Sequence, residues 1–132
     1  MKYIKSFDSQ NVLTVKNPWA YLIVSGLKDV ENRSWKTNYR GKLLIHTSQI
    51  PIKFNSFEIF TPEQIEIIQI KNINFNNLIN SAIIGEVELI DCIQNSNSIW
   101  AESGQWHWIL TNQEIYKEPI LNVKGSLSIW KY

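Results

Sequence analysis

Strand-like segments dominate this chain, and they do not alternate with helices. Val12-Leu13-Thr14-Val15, Lys42 to Thr47, Ala82 to Ile93, Trp106 to Thr111 and Gly125 to Tyr132 each read as strands. Val30 to Trp35 reads as a further extended stretch. Two segments carry clear helix signals, and the Asn-rich residues 72–80 read as a loop or a short helix. In the first, Asn17 suits an N-cap, Pro18 suits the first helical position and Gly26 suits a left-handed C′ residue. The second opens with Thr61-Pro62-Glu63-Gln64, a capping box, and runs to about Lys71. A doubly wound parallel sheet needs strand and helix in regular turn. The pattern here instead predicts an α+β fold, a small mixed β-barrel with a few helices at its rim. The first helix is apolar nearly all round and is expected to be buried.

At 132 residues the chain is expected to form a single domain, 1–132, large enough for one core. It has no run of 18 apolar residues, so no membrane-spanning helix is expected. The Met1-Lys2-Tyr3-Ile4-Lys5 start lacks a secretory signal pattern, and with a single cysteine a cytoplasmic location is expected. One Cys and two His leave no metal motif, and no cofactor is expected. Charge is unevenly distributed. Residues 1–53 hold seven Lys, two Arg and three acids, a net +6, whereas residues 54–118 hold two Lys and nine acids, a net −7. A basic third beside an acidic third points to one positive surface facing an anionic partner.

The densest chemistry lies between Gly26 and Arg40. If residues 31–35 are extended, Glu31, Arg33 and Trp35 share one face. A carboxylate, a guanidinium and an indole make an odd core face but a natural pocket wall. Trp35 can stack on a base. Arg33 offers a planar fork to a phosphate or a base edge. Glu31 can hold Arg33 or Lys28 in place, accept from an amine, or act as a general base. The alternative is a structural ion pair tying the helix end to the barrel. The chain has eleven lysines and only two arginines, and both arginines, Arg33 and Arg40, fall in this region. Arg40 either contacts the ligand or anchors the turn before Gly41.

The residues that carry this chemistry resemble a known family. Leu13 to Ala20 with Pro18-Trp19-Ala20, then Gly26, Lys28, Glu31 and Arg33, then Tyr39 to His46, Ile84 to Cys92, and Val123-Lys124-Gly125 with Trp130 follow the pattern of the ASCH domain. This is the activating-signal-cointegrator homology domain of the PUA-like superfamily, whose hallmark is a GxKxxExR motif. The resemblance implies a PUA-type β-barrel, with the motif lining a cleft between barrel and first helix. It also implies a nucleic-acid-binding module, with RNA the expected partner. Trp19, Lys28, Glu31, Arg33, Trp35, Arg40 and Lys124 would then contact the ligand. Some relatives are small amidohydrolases acting on a modified nucleoside such as N4-acetylcytidine, and ribonuclease activity is attributed to others. In the amidohydrolases a Thr stands three residues after the Lys; here that position is Glu31, so the hydroxyl nucleophile is missing. A hydrolase built on this chain would use Lys28 and Glu31, assisted by His46.

Other residues divide between site and scaffold. His46 either faces the cleft as acid or base or is a satisfied structural histidine. Trp106 and Trp108 share a strand face and read as barrel core and rim before base-stacking residues. Glu86 and Glu88 are expected on a solvated strand face. Cys92 lies in an apolar run and is expected to be buried and inert. Lys2, Lys5, Lys16, Lys36 and Lys42 can spread a phosphate-facing surface around the cleft.

Overall fold

The computed structural model describes residues 9–53 and 57–132. Six strands and two helices follow in the order β1 (Asn11–Val15), α1 (Trp19–Val24), β2 (Val30–Arg33), β3 (Gly41–Thr47), α2 (Pro62–Ile70), β4 (Ile83–Ile93), β5 (Trp106–Ile120) and β6 (Ile129–Lys131). The strands form one sheet in the order β2-β5-β4-β3-β1-β6. Among the described residues only the β1–β3 pairing is parallel. The sheet curls into a half-barrel, an α+β fold of PUA-like form. Its curvature is visible in one contact: Arg33 on β2 donates to the Thr14 carbonyl on β1 at 2.8 Å, although β5, β4 and β3 stand between those strands in the sheet.

Alternation along the strands divides the core. Leu13, Leu43, Ile45, Val87, Leu89, Trp108 and Leu110 face the inside with Ala20, Ile23 and Val24 of α1. Val12, Leu44, Ile83 and Tyr116 pack on the other face. Leu22, on the far side of α1, meets Ile68 of α2 together with Phe60 and Trp100. The first helix is thus sandwiched between the sheet and α2, which explains why it is apolar nearly all round.

Local signals set the helix ends. The capping box of α2 is complete: Thr61 Oγ1 accepts from Gln64 N–H at 3.2 Å, and Gln64 Oε1 accepts from Thr61 N–H at 3.0 Å. At α1 the N-terminal expectation is displaced by one residue. Pro18 occupies the cap position, and Asn17 sits before it, accepting the Tyr21 N–H at 3.2 Å through Oδ1. Strand lengths also differ from expectation. β5 runs nine residues past Thr111, and β6 is confined to Ile129–Lys131. Among the described residues, no helix is long and apolar enough to cross a membrane.

Candidate functional site

The end of α1 delivers the central lysine. Gly26 takes φ 89°, the left-handed region a glycine enters without penalty. The Gly26 N–H then bonds Ile23 O at 3.1 Å and the Leu27 N–H bonds Leu22 O at 3.2 Å, the two bonds of a Schellman closure. Lys28 N–H adds a third contact to Leu22 O at 2.9 Å. The chain reverses here and enters β2, an edge strand paired with β5.

Three charged side chains meet at this point. Lys28 is 3% exposed; its Nζ donates to the Val30 carbonyl and lies 3.4 Å from Glu31 Oε1. Glu31 Oε2 accepts from Arg33 Nε at 3.0 Å and lies 2.9 Å from Arg33 Nη2. The same Nη2 reaches Thr14 O, so one guanidinium holds both the carboxylate and the facing strand. Nη1 has no partner among the described residues. Burial pushes the Lys28 pKa below its usual value; the adjacent Glu31 carboxylate opposes that shift, and the Arg33 charge adds to it.

These groups line a cleft of about 740 Å³ between the β2 edge and β1, within the size range of small-ligand sites. Trp19 stands on one wall with the Lys28 ammonium 5.7 Å from its ring centroid, and Trp100 lies on another. The Trp100 wall is a pinned loop. Asn32 donates to Trp100 O and accepts from Glu102 N–H, both at 2.9 Å. His107 accepts from Ser96 N–H at 3.1 Å through Nδ1, so its Nε2 carries the proton donated to Glu102 O at 2.7 Å. Gln64 reaches Ile99 O at 2.8 Å from α2.

Of the residues singled out in the sequence, the fold brings Trp19, Lys28, Glu31 and Arg33 together. It places the others elsewhere. Trp35 turns into the core after β2 ends and meets Trp108 edge-on, with ring centroids 4.7 Å apart. Arg40 caps its own turn through Thr37 O and Tyr39 O and lies 3.6 Å from Asp91. His46 is 1% exposed and lies in a directional chain. Trp130 Nε1 donates to Thr14 Oγ1 at 3.0 Å, Thr14 Oγ1 bonds His46 Nδ1 at 3.0 Å, and His46 Nε2 donates to Val123 O at 2.7 Å. Burial holds the His46 pKa below its ordinary value, against the opposing bond to Val123. Both ring nitrogens are spent on scaffold, and His46 does not line the cleft that holds Lys28 and Glu31. Lys124 is exposed on the segment before β6. Lys16 lines the cleft and donates to Ile50 O, whereas Lys2 and Lys5 lie outside the described residues. Lys36 lies over Trp106, 5.6 Å from its ring centroid.

Trp108 is wholly buried and Cys92 sits in the same core cluster. The expectation for Glu86 is corrected. It is buried rather than solvated, accepting from Tyr116 O–H at 3.0 Å with Lys42 Nζ at 3.9 Å. Burial and the facing carboxylate both push the Tyr116 pKa up. Glu88 is partly buried and accepts from Asn112 at 2.7 Å. The sequence reading missed Thr14, Asn32, Gln64 and Trp100 as cleft-building residues. No local pattern marks them, because each acts on a segment distant in the chain.

With this geometry in view, comparison with known proteins gives a consistent result. The profile of the ASCH domain matches residues 13–120. Activating signal cointegrator 1 of Homo sapiens is 33% identical over 141 aligned positions, covering 98% of this chain. The Mus musculus protein of the same name is 32% identical over the same span. The chain spans 23% of the length of each of these relatives.

Proposed function

The chain belongs to the ASCH domain family, and from that premise we propose that it is an RNA-binding module whose ligand enters the cleft between β2 and β1. One observation carries this reading. On the buried cleft floor Lys28 and Arg33 occupy both oxygens of Glu31, and the other carboxylate lining the cleft, Glu102, stands exposed on its rim. Such a floor suits an acceptor-rich, anionic ligand. Arg33 Nη1 and Lys16 supply the fixed and the diffuse cation, and Trp19 and Trp100 supply faces for a base. RNA in place of DNA follows from the general association of the family with RNA.

Hydrolysis finds less support. Both Glu31 oxygens are engaged by Lys28 and Arg33, which leaves neither free to face an attacking water, and His46 is engaged at both nitrogens away from Lys28. The test is fluorescence anisotropy with labelled single-stranded RNA, duplex RNA and duplex DNA at low and physiological salt. Single-stranded RNA is expected to bind with an affinity that falls steeply with salt. It is expected to weaken about tenfold or more in Lys28→Met and Arg33→Gln, with melting curves run alongside. Binding that ignores salt, or that survives both substitutions, would overturn the reading.

A further inference from the structure

The segment between β5 and β6 builds a second concavity that the reading above does not use. Its backbone is left-handed at Asn122 (φ 55°) and at Ser128 (φ 57°), which turns residues 122–128 across the sheet end. The segment is pinned from beneath. Val123 N–H donates to Ser81 O at 2.8 Å, and Val123 O accepts from His46 at 2.7 Å. Gly125 lies so close to this floor that an added Cβ would come within 2.7 Å of the His46 ring and 2.9 Å of Thr14 Oγ1. The result is a cleft of about 620 Å³ with Gln49, Ser81 and Lys124 in its walls. It is continuous with the first cleft, since Thr14, Ser48, Ser126 and Leu127 line both. Leu127, on the shared rim, is 89% exposed. Lys124 is exposed and has no ion-pair partner among the described residues.

Each cleft is within the range of about 300–1,000 Å³ that small-molecule sites occupy, and so each suits one nucleotide. Two adjoining concavities with the exposed Leu127 on their shared rim cannot take a duplex, whose bases stay stacked and paired. They can take a strand whose bases are splayed apart. Resting on the RNA-binding reading, we propose that the chain engages a single strand over two consecutive nucleotides. One base occupies each cleft, Leu127 inserts between them, and Lys124 meets the phosphate of the second.

Calorimetric titration of the native chain with uridine 5′-monophosphate and with 5′-phosphorylated UpU tests this. The dinucleotide is expected to bind about tenfold or more tightly, in line with one added base contact. Lys124→Ala and Leu127→Ser change exposed residues and are expected to keep the native melting temperature. Each should shrink that step, and Lys124→Ala, which lies outside the first cleft, should leave mononucleotide affinity within about twofold. Equal affinity for both lengths, or a step unchanged in both variants, would overturn the second subsite and leave the first cleft standing. No binding of either length would overturn the RNA-binding reading and this proposal with it. A self-complementary duplex that binds as tightly as the single strand would refute the splayed geometry.

Discussion

Glu31→Gln is expected to destabilise the domain more than removal of the lysine beside it. The carboxylate side chain is 9% exposed, with cationic nitrogens at 3.4 Å and 2.9 Å. At an effective dielectric of about 20 those two attractions are worth roughly 5 and 6 kcal/mol gross. Desolvation of all three groups offsets most of that sum. Removing one partner of a buried ion pair typically costs about 3–5 kcal/mol, because it strands the other charge. Arg33 retains 23% side-chain exposure and some hydration, which places the expected cost near the lower end, about 3 kcal/mol. For a domain of this size that is a fall of about 10 °C in melting temperature. Lys28→Met is different. It removes a buried cation while leaving Glu31 paired with Arg33, so the expected change is within about 1 kcal/mol. The double variant should recover part of the Glu31→Gln loss, because one stranded cation has gone. The pH dependence supplies an independent check. The folded pKa of Lys28 lies below its ordinary 10.5, so between those values the unfolded chain holds more protons and stability rises with pH. That rise should be present in the native chain and missing in Lys28→Met. Urea unfolding of the four proteins across pH measures all of this. A Glu31→Gln cost under about 1 kcal/mol, or a double variant weaker than Glu31→Gln alone, would refute the reasoning.

Three further outcomes follow from single contacts. Gly26→Ala meets open space but must hold φ 89°, so it should cost about 1–2 kcal/mol in urea unfolding from backbone strain alone. Thr61→Ala breaks the α2 capping box and should cost about 0.5–2 kcal/mol by the same assay. His46 has a depressed folded pKa, so its contribution is full above about 6.5 and is lost as pH falls below that value, where the unfolded chain takes up the proton first. The acid slope of the unfolding midpoint should therefore flatten in His46→Gln, and an unchanged slope would refute the assignment.

What could be read from the sequence was what is local. The capping box, the glycine turn into Lys28 and the absence of strand–helix alternation all depend on neighbours within a few residues. What escaped depends on distant partners. Residues 112–118 are too polar to read as a strand and open on a turn former, and Asn112 is indeed left-handed at φ 51°. They stay in β5 because β4 pairs with this part of the strand through two shifts in register, between Ile83 and Gly85 and between Glu86 and Glu88. Pro119 is tolerated because β2 covers only residues 106–109 of β5, leaving the far end an edge. Glu86 reads as solvated by alternation alone; Tyr116 arriving from β5 and Lys42 from β3 give its buried carboxylate partners. Trp35 was assigned to the Glu31 face on the assumption that the strand continues, and the chain bends one residue after Arg33.

The motif residues are joints of the fold before they are ligand contacts, and this governs how their variants should be read. Gly26 ends the helix, Lys28 ties the turn to the Val30 carbonyl, and Arg33 bridges the first strand of the sheet order to a strand four places away. Without that bridge the curled sheet has no other described side-chain bond from β2 to β1, and the cleft between them loses its floor. A loss of RNA affinity in Arg33→Gln can therefore reflect a missing phosphate contact or an opened sheet. Lys28→Met separates the two, since it deletes a donor from the floor while leaving the Glu31–Arg33–Thr14 clamp in place. Affinity lost at unchanged stability in that variant would locate the ligand at the lysine. Affinity retained there but lost in Arg33→Gln would assign the motif to architecture.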